Sequence, residues 1–293
     1  MTARTPPVPR DRIVTSVSDR RRAILDVIRR AERRVSLSMF RCDDEEILGG
    51  LADASARGVA VDVLVTSRVR GPRPQLADLK RALDSTGARV RVYPDPVVKY
   101  HAKYLIADEG PAVVASLNFT HKCFTRTCDA LVVTYDPDVV SGLQRLMAAD
   151  CEGRPLPEGL SARLIVGPEH ARSQFTRLIN GARSSVRLID PKLSDPDLLR
   201  LLDARQAKGV TVEIHRGRRL GALKSHGKIM LIDDRIAVVG SVALAAPSLD
   251  LRREVAITVD QAAAVADVRR VFTMAAAISP AGRLVAANAA EWM

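Results

Sequence analysis

Aromatic residues are scarce in this chain: Phe, Tyr and Trp make up 3% of its 293 positions. Few flat platforms are left on which unpaired bases could stack, which weighs against dedicated single-strand binding. Cysteine is also sparse, with Cys42, Cys123, Cys128 and Cys151 all in the first half. Such usage suits a reducing cytoplasm, and a cytoplasmic location is expected, without a disulfide framework. Cys123 and Cys128, with His121 nearby, do not have a usual zinc spacing, so no metal and no cofactor is assigned. No apolar run is long enough for a transmembrane segment. The opening MTARTPPVPRDR lacks the apolar centre of a signal peptide.

What is present is globular. Hydrophobic residues make up 47% of the chain, enough to bury a sizeable core in one large or two medium domains. The net charge of +11 favours polyanionic partners: nucleic acid, an anionic membrane or a phosphorylated substrate.

The dominant feature is a repeat. HAKYLIADEGPAVVASLN begins at His101 and HGKIMLIDDRIAVVGSVA at His226. Each reads His-x-Lys, four residues, Asp, and then a Ser eight residues later. His101/His226, Lys103/Lys228, Asp108/Asp233 and Ser116/Ser241 all share an offset of 125 positions, as do the acids Asp129 and Glu254. One copy alone would be a weak motif, but two copies with matched Ser and acid are a strong signal.

The surrounding segments repeat as well, which marks an internal duplication. Residues 1–18 are broken by prolines and are expected to form a flexible lead-in. A first half is placed at 19–152, a linker at 153–160 (from GRPLPEG), a second half at 161–278 and a tail at 279–293. Helical spacing marks Ile24, Val27 and Ile28, then Ile47, Leu48 and Leu51, then Leu76, Leu79 and Leu83. Alternation marks strands at Val35–Met39 and Val59–Val65, and shorter strands are expected around Val90, at Tyr104–Ala107 and at Leu131–Thr134. ARGVAVDVLV matches AKGVTVEIHR at offset 151 rather than 125. The second half therefore lacks the equivalent of the Leu76 helix and the Val90 strand. Alternating strands and helices argue for α/β layers in each half.

The motif residues suit phosphodiester chemistry. On a strand, a His and a Lys two apart face the same way. His is poised near neutral pH for nucleophilic or acid–base work, and Lys supplies a fixed charge. Two of each around one pocket match a transition state whose charge spreads over phosphoryl oxygens, with no need for a metal.

These two motifs resemble those of the phospholipase D superfamily. The resemblance implies a mixed sheet flanked by helices in each half, the halves related by a pseudo-twofold axis with both motifs at the seam. It implies covalent catalysis in which one His attacks phosphorus and the other serves as acid and base; His101 is assigned to the first role and His226 to the second. It further implies that Lys103, Lys228, Ser116, Asn118 and Ser241 hold the phosphoryl oxygens. Asp129 and Glu254, each 28 residues after the His of its own copy, would orient the imidazoles. Asp108 and Asp233 would brace the motif's own turn. Two departures stand out: Ala115 replaces the usual Gly before the Ser, and Ala243 replaces the usual Asn after it. With two motifs in one chain, a monomer can hold a complete site.

The substrate expected first is a phospholipid headgroup, cleaved by hydrolysis or transferred, with peripheral contact to an anionic membrane. The partly apolar loops Phe119–Phe124 and Leu244–Leu251 offer a lipid contact. The alternative is a metal-independent nuclease of the same superfamily, served by the basic loops with Arg68, Arg70 and Arg73, and with Arg216, Arg218, Arg219 and Lys224. A non-catalytic scaffold for nucleic acid or membrane is the third reading. A cardiolipin-synthase-like role ranks lower, because family members with that role usually carry membrane spans.

Overall fold

Local sequence rules account for the first elements of each half. In the first, strand β1 (Asp11–Val14) leads into helix α1 (Val17–Arg30). Ile24, Val27 and Ile28 form the helix's buried stripe, Asp19 lies in its first turn, and Arg29 and Arg30 in its last complement the helix dipole. In β2 (Arg34–Met39), Val35, Leu37 and Met39 point into the core. Helix α2 (Glu45–Ala56) starts at Asp44, whose carboxylate accepts the Ile47 N–H at 3.3 Å. The computed structural model describes residues 10–66, 80–216 and 219–278.

The first half continues through β3 (Ala60–Val65), helical residues 80–84 (α3), β4 (Arg89–Val92), β5 (Lys99–Tyr100), β6 (Tyr104–Ala107) and β7 (Ala112–Ala115). It closes with α4 (His121–Thr125), β8 (Thr127–Cys128), β9 (Leu131–Thr134) and α5 (Pro137–Glu152). The second half runs β10 (Leu164–Gly167), α6 (Ala171–Gly181), β11 (Ser185–Ile189), α7 (Pro196–Ala207), β12 (Thr211–His215), β13 (Arg219–Leu220) and β14 (Leu223–Ser225). It ends with β15 (Lys228–Ile232), β16 (Ile236–Gly240), α8 (Ala246–Asp250), β17 (Arg252–Val259) and α9 (Ala262–Ile278).

The two main sheets have the same strand order. One is β1-β9-β7-β6-β2-β3-β4 and the other β10-β17-β16-β15-β11-β12, both mixed. The strand without a counterpart is β4, as the 26-residue difference between the two offsets requires. Leu83 of the predicted Leu76 helix is buried; Leu76 and Leu79 lie outside the described residues, as do Arg68, Arg70, Arg73, Arg218 and the tail 279–293.

The halves share one core. Tyr104, Val114, Leu143 and Met147 of the first pack in one cluster with Ile229, Val239, Val255 and Phe272 of the second. Each half has its own outer cluster on the other face of its sheet. Residues 154–163 cross from α5, stopped by Gly153 in the left-handed region at φ 65°, to β10.

The expected flexible lead-in is corrected in part. Residues 11–14 form an edge strand paired with β9, and Val17 already begins α1. Four residues are too few for alternation to register. Their order comes from distant partners: buried Asp11 accepts from Thr134 Oγ1 at 2.7 Å and from Arg163 Nη2 at 2.8 Å.

Candidate active site

Backbone pairing brings the two motifs together by an exchange between the halves. β5 runs parallel to the start of β17, with Lys99 opposite Arg252 and Tyr100 opposite Arg253. One step further the His101 N–H donates to the Arg253 carbonyl at 2.9 Å, which sets His101 beside Glu254. The other copy does the same. β14 runs parallel to β8, with Ser225 opposite Cys128, and the Gly227 N–H donates to the Cys128 carbonyl at 2.8 Å. His226 thus comes to Asp129.

Each imidazole is therefore oriented by the acid of the opposite half, not by the acid 28 residues after it. His226 Nδ1 lies 3.0 Å from both Asp129 oxygens. His101 Nδ1 lies 2.9 Å from Glu254 Oε1, within ion-pair reach but out of line for a hydrogen bond. The repeat offset shows which acids correspond; it does not show which strand crosses the seam.

The two pairs differ electrostatically. The His101 side chain is 12% exposed and that of His226 30%. Burial, then Lys103 and Lys228, hold the His101 imidazole well below its usual range. Burial also lowers His226, but the Asp129 carboxylate opposes it. Burial pushes Glu254 up to about 7, against the pull of Lys103 and Lys228. Burial works against ionisation of Asp129 too, yet His226, Lys228 and Thr127 hold it below the usual carboxylate range.

The charges of both lysines bear on both imidazoles. Lys103 Nζ donates to the His101 carbonyl at 2.7 Å and Lys228 Nζ to the His226 carbonyl at 2.9 Å. Both are buried, and burial draws the Lys103 ammonium well below its usual range, with Glu254 opposing.

The serines are corrected from phosphate contacts to supports of the acid-bearing strands. Both are fully buried. Ser116 Oγ donates to Asp129 Oδ1 at 2.7 Å and accepts from the Ala130 N–H at 3.0 Å. Ser241 Oγ donates to the Val255 carbonyl at 3.3 Å and accepts from the Val255 N–H at 3.1 Å. Asn118 differs: its buried Oδ1 has no hydrogen-bond partner among the described residues. At the equivalent place the Ala243 N–H donates to Ser248 Oγ at 2.9 Å. The other departure is steric. A Cβ on Gly240, the counterpart of Ala115, would lie 2.4 Å from the Val255 carbonyl oxygen, whereas Ala115 is accommodated at the end of β7.

The motif aspartates do not brace their own turn. Asp108, at φ 47°, accepts the N–H groups of Glu32, Arg33 and Arg34 at 2.8–2.9 Å. Asp233, at φ 52°, accepts those of Arg183, Ser184 and Ser185 at 2.7–3.0 Å. Each ties the end of its motif strand to the loop before β2 or β11. Although burial opposes it, these N–H groups hold both carboxyls below their usual range.

The loops expected to touch lipid turn inward. Phe119, Phe124, Leu244 and Leu249 are core residues. Leu251 is 57% exposed and Val97 73%, and two residues after Val97 the Lys99 N–H donates to the Leu251 carbonyl.

Three site residues escape a motif search. The Phe40 ring meets His101 edge-on at 4.7 Å, with Lys103 Nζ 5.5 Å from its centre. Lys192 follows β11, and its charge bears on His101 and Lys103. Arg252 Nη1 lies 3.8 Å from Glu254 Oε1. The 151 offset carries a signal for one of them: it aligns Lys192 with Arg41 at the same strand end. Among the described residues, Cys123, Asp129 and His226 are a group whose ligand atoms all lie within 4.8 Å of one another; His121 and Cys128 are not part of it. All four cysteines are free thiols.

Comparison with known proteins agrees with this geometry. A family model described as "Cardiolipin synthase, PLD-like domain" matches residues 24–151 and 216–275. The chain is 28% identical over 170 residues to cardiolipin synthase A of Pseudomonas aeruginosa (strain LESB58), a stretch covering 58% of this chain and 33% of that protein. It thus spans about a third of the length of the curated relatives it matches. Cardiolipin synthases, ranked lower for want of a membrane span, are therefore among its relatives. Among solved structures, phosphatidylserine synthase from Haemophilus influenzae Rd KW20 superposes with a TM-score of 0.73 at 13% identity, covering 90% of this chain and 86% of that one. Polyphosphate kinase from Porphyromonas gingivalis gives 0.70 at 19%, covering 90% and 50%. At such identities these two speak to the fold alone. Among the described residues no helix is long and apolar enough to cross a membrane. With the family model covering more than half of its length, the chain belongs to the phospholipase D superfamily, in the family of cardiolipin synthase PLD-like domains.

Proposed function

We propose that this protein cleaves or transfers a phospholipid headgroup phosphodiester through a covalent phosphohistidine. The observation that carries the reading is the reciprocal exchange, which gathers His101–Glu254, His226–Asp129, Lys103 and Lys228 into one site.

His101 is the nucleophile. Its Nδ1 faces Glu254, which leaves Nε2 free, and its depressed proton affinity keeps the ring neutral at pH 7. Nε2 forms a bond to phosphorus as the bond to the leaving oxygen breaks. His226, whose proton affinity Asp129 sustains, gives its proton to that oxygen. A second alcohol or water then attacks phosphorus, loses its proton to His226 and frees His101. The charge gathered on the phosphoryl oxygens is met by Lys103 and Lys228.

Similarity to cardiolipin synthase A supports a lipid substrate, as do Val97 and Leu251, two exposed apolar side chains just before β5 and β17, the strands that lead to His101 and Glu254. A nuclease is the second reading, favoured by the exposed Arg216, Arg219 and Lys224 near β14.

The test is an activity panel in EDTA with phosphatidylcholine and phosphatidylglycerol vesicles, DNA and RNA, comparing wild type with His101→Ala and His226→Ala. Headgroup release or exchange by wild type and by neither variant is expected. Nucleic-acid cleavage with vesicles untouched would transfer the mechanism to the second reading, and variants equal to wild type would end both.

A further inference from the structure

We propose that Lys192 and Arg252 form a second anion subsite beside His101, selecting a substrate that carries another phosphoryl group next to the scissile one. The inference rests on the phosphodiester reading above and names a substrate class for that site.

The site holds more positive charge than one phosphodiester needs. Lys103 and Lys228 bond through Nζ to backbone carbonyls. Among the described residues neither they nor Lys192 pair with a carboxylate, and Arg252 comes no nearer to one than 3.8 Å, to Glu254. That carboxylate already faces His101 at 2.9 Å. Lys192 sits on the exposed turn after β11, whose last residue Ile189 pairs with Ile229, next to Lys228; burial, then Lys228 and Arg252, lower its proton affinity against the pull of Glu254 and Asp190. Cations crowded together and only partly offset by carboxylates cost free energy unless a ligand supplies the rest of the charge.

The excess is one-sided. Arg41, the first-half counterpart of Lys192, lies over the Phe40 ring at 5.7 Å. The counterpart of Arg252 is Thr127, whose hydroxyl donates to Asp129 Oδ2 at 2.6 Å. Neither counterpart thus adds a free cation beside His226, and the buried guanidinium on that side, Arg20, is bonded to the Cys123, Thr127 and Thr15 carbonyls. Two lysines match the scissile group, and Lys192 and Arg252 match a neighbour of the same chemistry on the side where the nucleophile stands.

Calorimetric titration at fixed ionic strength tests this with inorganic phosphate and pyrophosphate as probes. Wild type should bind pyrophosphate at least about tenfold more tightly than phosphate. Lys192→Gln and Arg252→Gln should each reduce that preference severalfold and leave phosphate affinity within about twofold of wild type. Lys103→Gln should weaken both probes alike. Equal binding of the two probes by wild type would overturn the subsite and leave the phosphodiester reading standing. So would a preference untouched by either variant, or one reduced as much by Lys208→Gln at the far end of α7. Failure of phosphate to bind, with Lys103→Gln without effect, would overturn both.

Discussion

His226 Nδ1 sits 3.0 Å from both carboxylate oxygens of Asp129, a residue 97 positions earlier and in the other copy of the repeat. The reverse exchange brings Glu254 to His101. Neither half holds a complete His–acid pair, so the candidate site exists only in the joined molecule.

Removing either orienting acid should be costly. Asp129→Asn is expected to lower kcat on the order of 10²–10⁴-fold, as loss of a His-orienting carboxylate does elsewhere. The sign of the accompanying pH effect follows from charge. Asp129 raises the proton affinity of His226. Without it, the alkaline limb of kcat/KM, where the general acid loses its proton, should move to lower pH. An unmoved limb would break the assignment of His226 as acid.

Glu254 titrates near neutrality, at about 7. As pH rises through that value it ionises, and the negative charge 2.9 Å from Nδ1 favours the His101 proton there, leaving Nε2 the better nucleophile. Activity should therefore rise through about pH 7, and in Glu254→Gln this limb should vanish while the plateau falls. Its survival in the variant would place it on another group.

The two serines are not equivalent. Ser116 touches a catalytic carboxylate, whereas Ser241 touches only backbone. Ser116→Ala should reduce kcat more than Ser241→Ala, with both variants folded by circular dichroism. Equal effects would return the serines to a shared role in phosphate binding.

Asp108 and Asp233 act on stability. Asp108→Ala loses three charge-assisted acceptor bonds and puts Ala at φ 47°, so roughly 1–3 kcal/mol of stability should go. Asp108→Asn, better suited to that backbone region, should lose less. Because the folded carboxyl is depressed, its contribution is present above the unfolded value near 3.8 and lost as pH falls through the folded one. The gap between the denaturation midpoints of wild type and Asp108→Ala should therefore narrow in strong acid to the part due to Ala at φ 47°.

Buried Arg253 joins the halves, contacting Asp150 at 2.9 Å, Glu169 at 2.6 Å and the Gly167 carbonyl at 2.8 Å. Arg253→Met strands the buried Asp150 carboxylate and leaves Glu169, 34% exposed, unpaired, and should cost roughly 3–5 kcal/mol. Asp150 already stands at about 7, raised by burial with Arg253 opposing; without the arginine it rises further. The variant's deficit should accordingly be larger at pH 9 than at pH 6, and a pH-independent deficit would argue against a stranded charge.

The duplicated α/β plan and the motif positions were legible in the sequence because they rest on local regularities: strand alternation, helical stripes and a shared offset. The pairing of His101 with Glu254 was not, since it depends on which strand β5 joins, a contact between distant segments. Ser116 and Ser241 look alike in sequence; their partners follow from the depth of the strands around them. Lys192 and Arg252 belong to no motif; the 151 offset aligns Lys192 with Arg41, but Arg252 becomes visible only when folding sets it 3.8 Å from Glu254.

The most direct measurement is to trap the intermediate. His226→Ala would be mixed with an activated phosphodiester bearing a p-nitrophenyl leaving group, which departs without a proton. The mixture would be quenched in alkali, where phosphohistidine persists, and its peptides mapped by mass spectrometry. The adduct should accumulate on the peptide containing His101, because the base for the second step is missing. No adduct on His101 there, together with an adduct on His226 in His101→Ala, would contradict the assignment of nucleophile and acid.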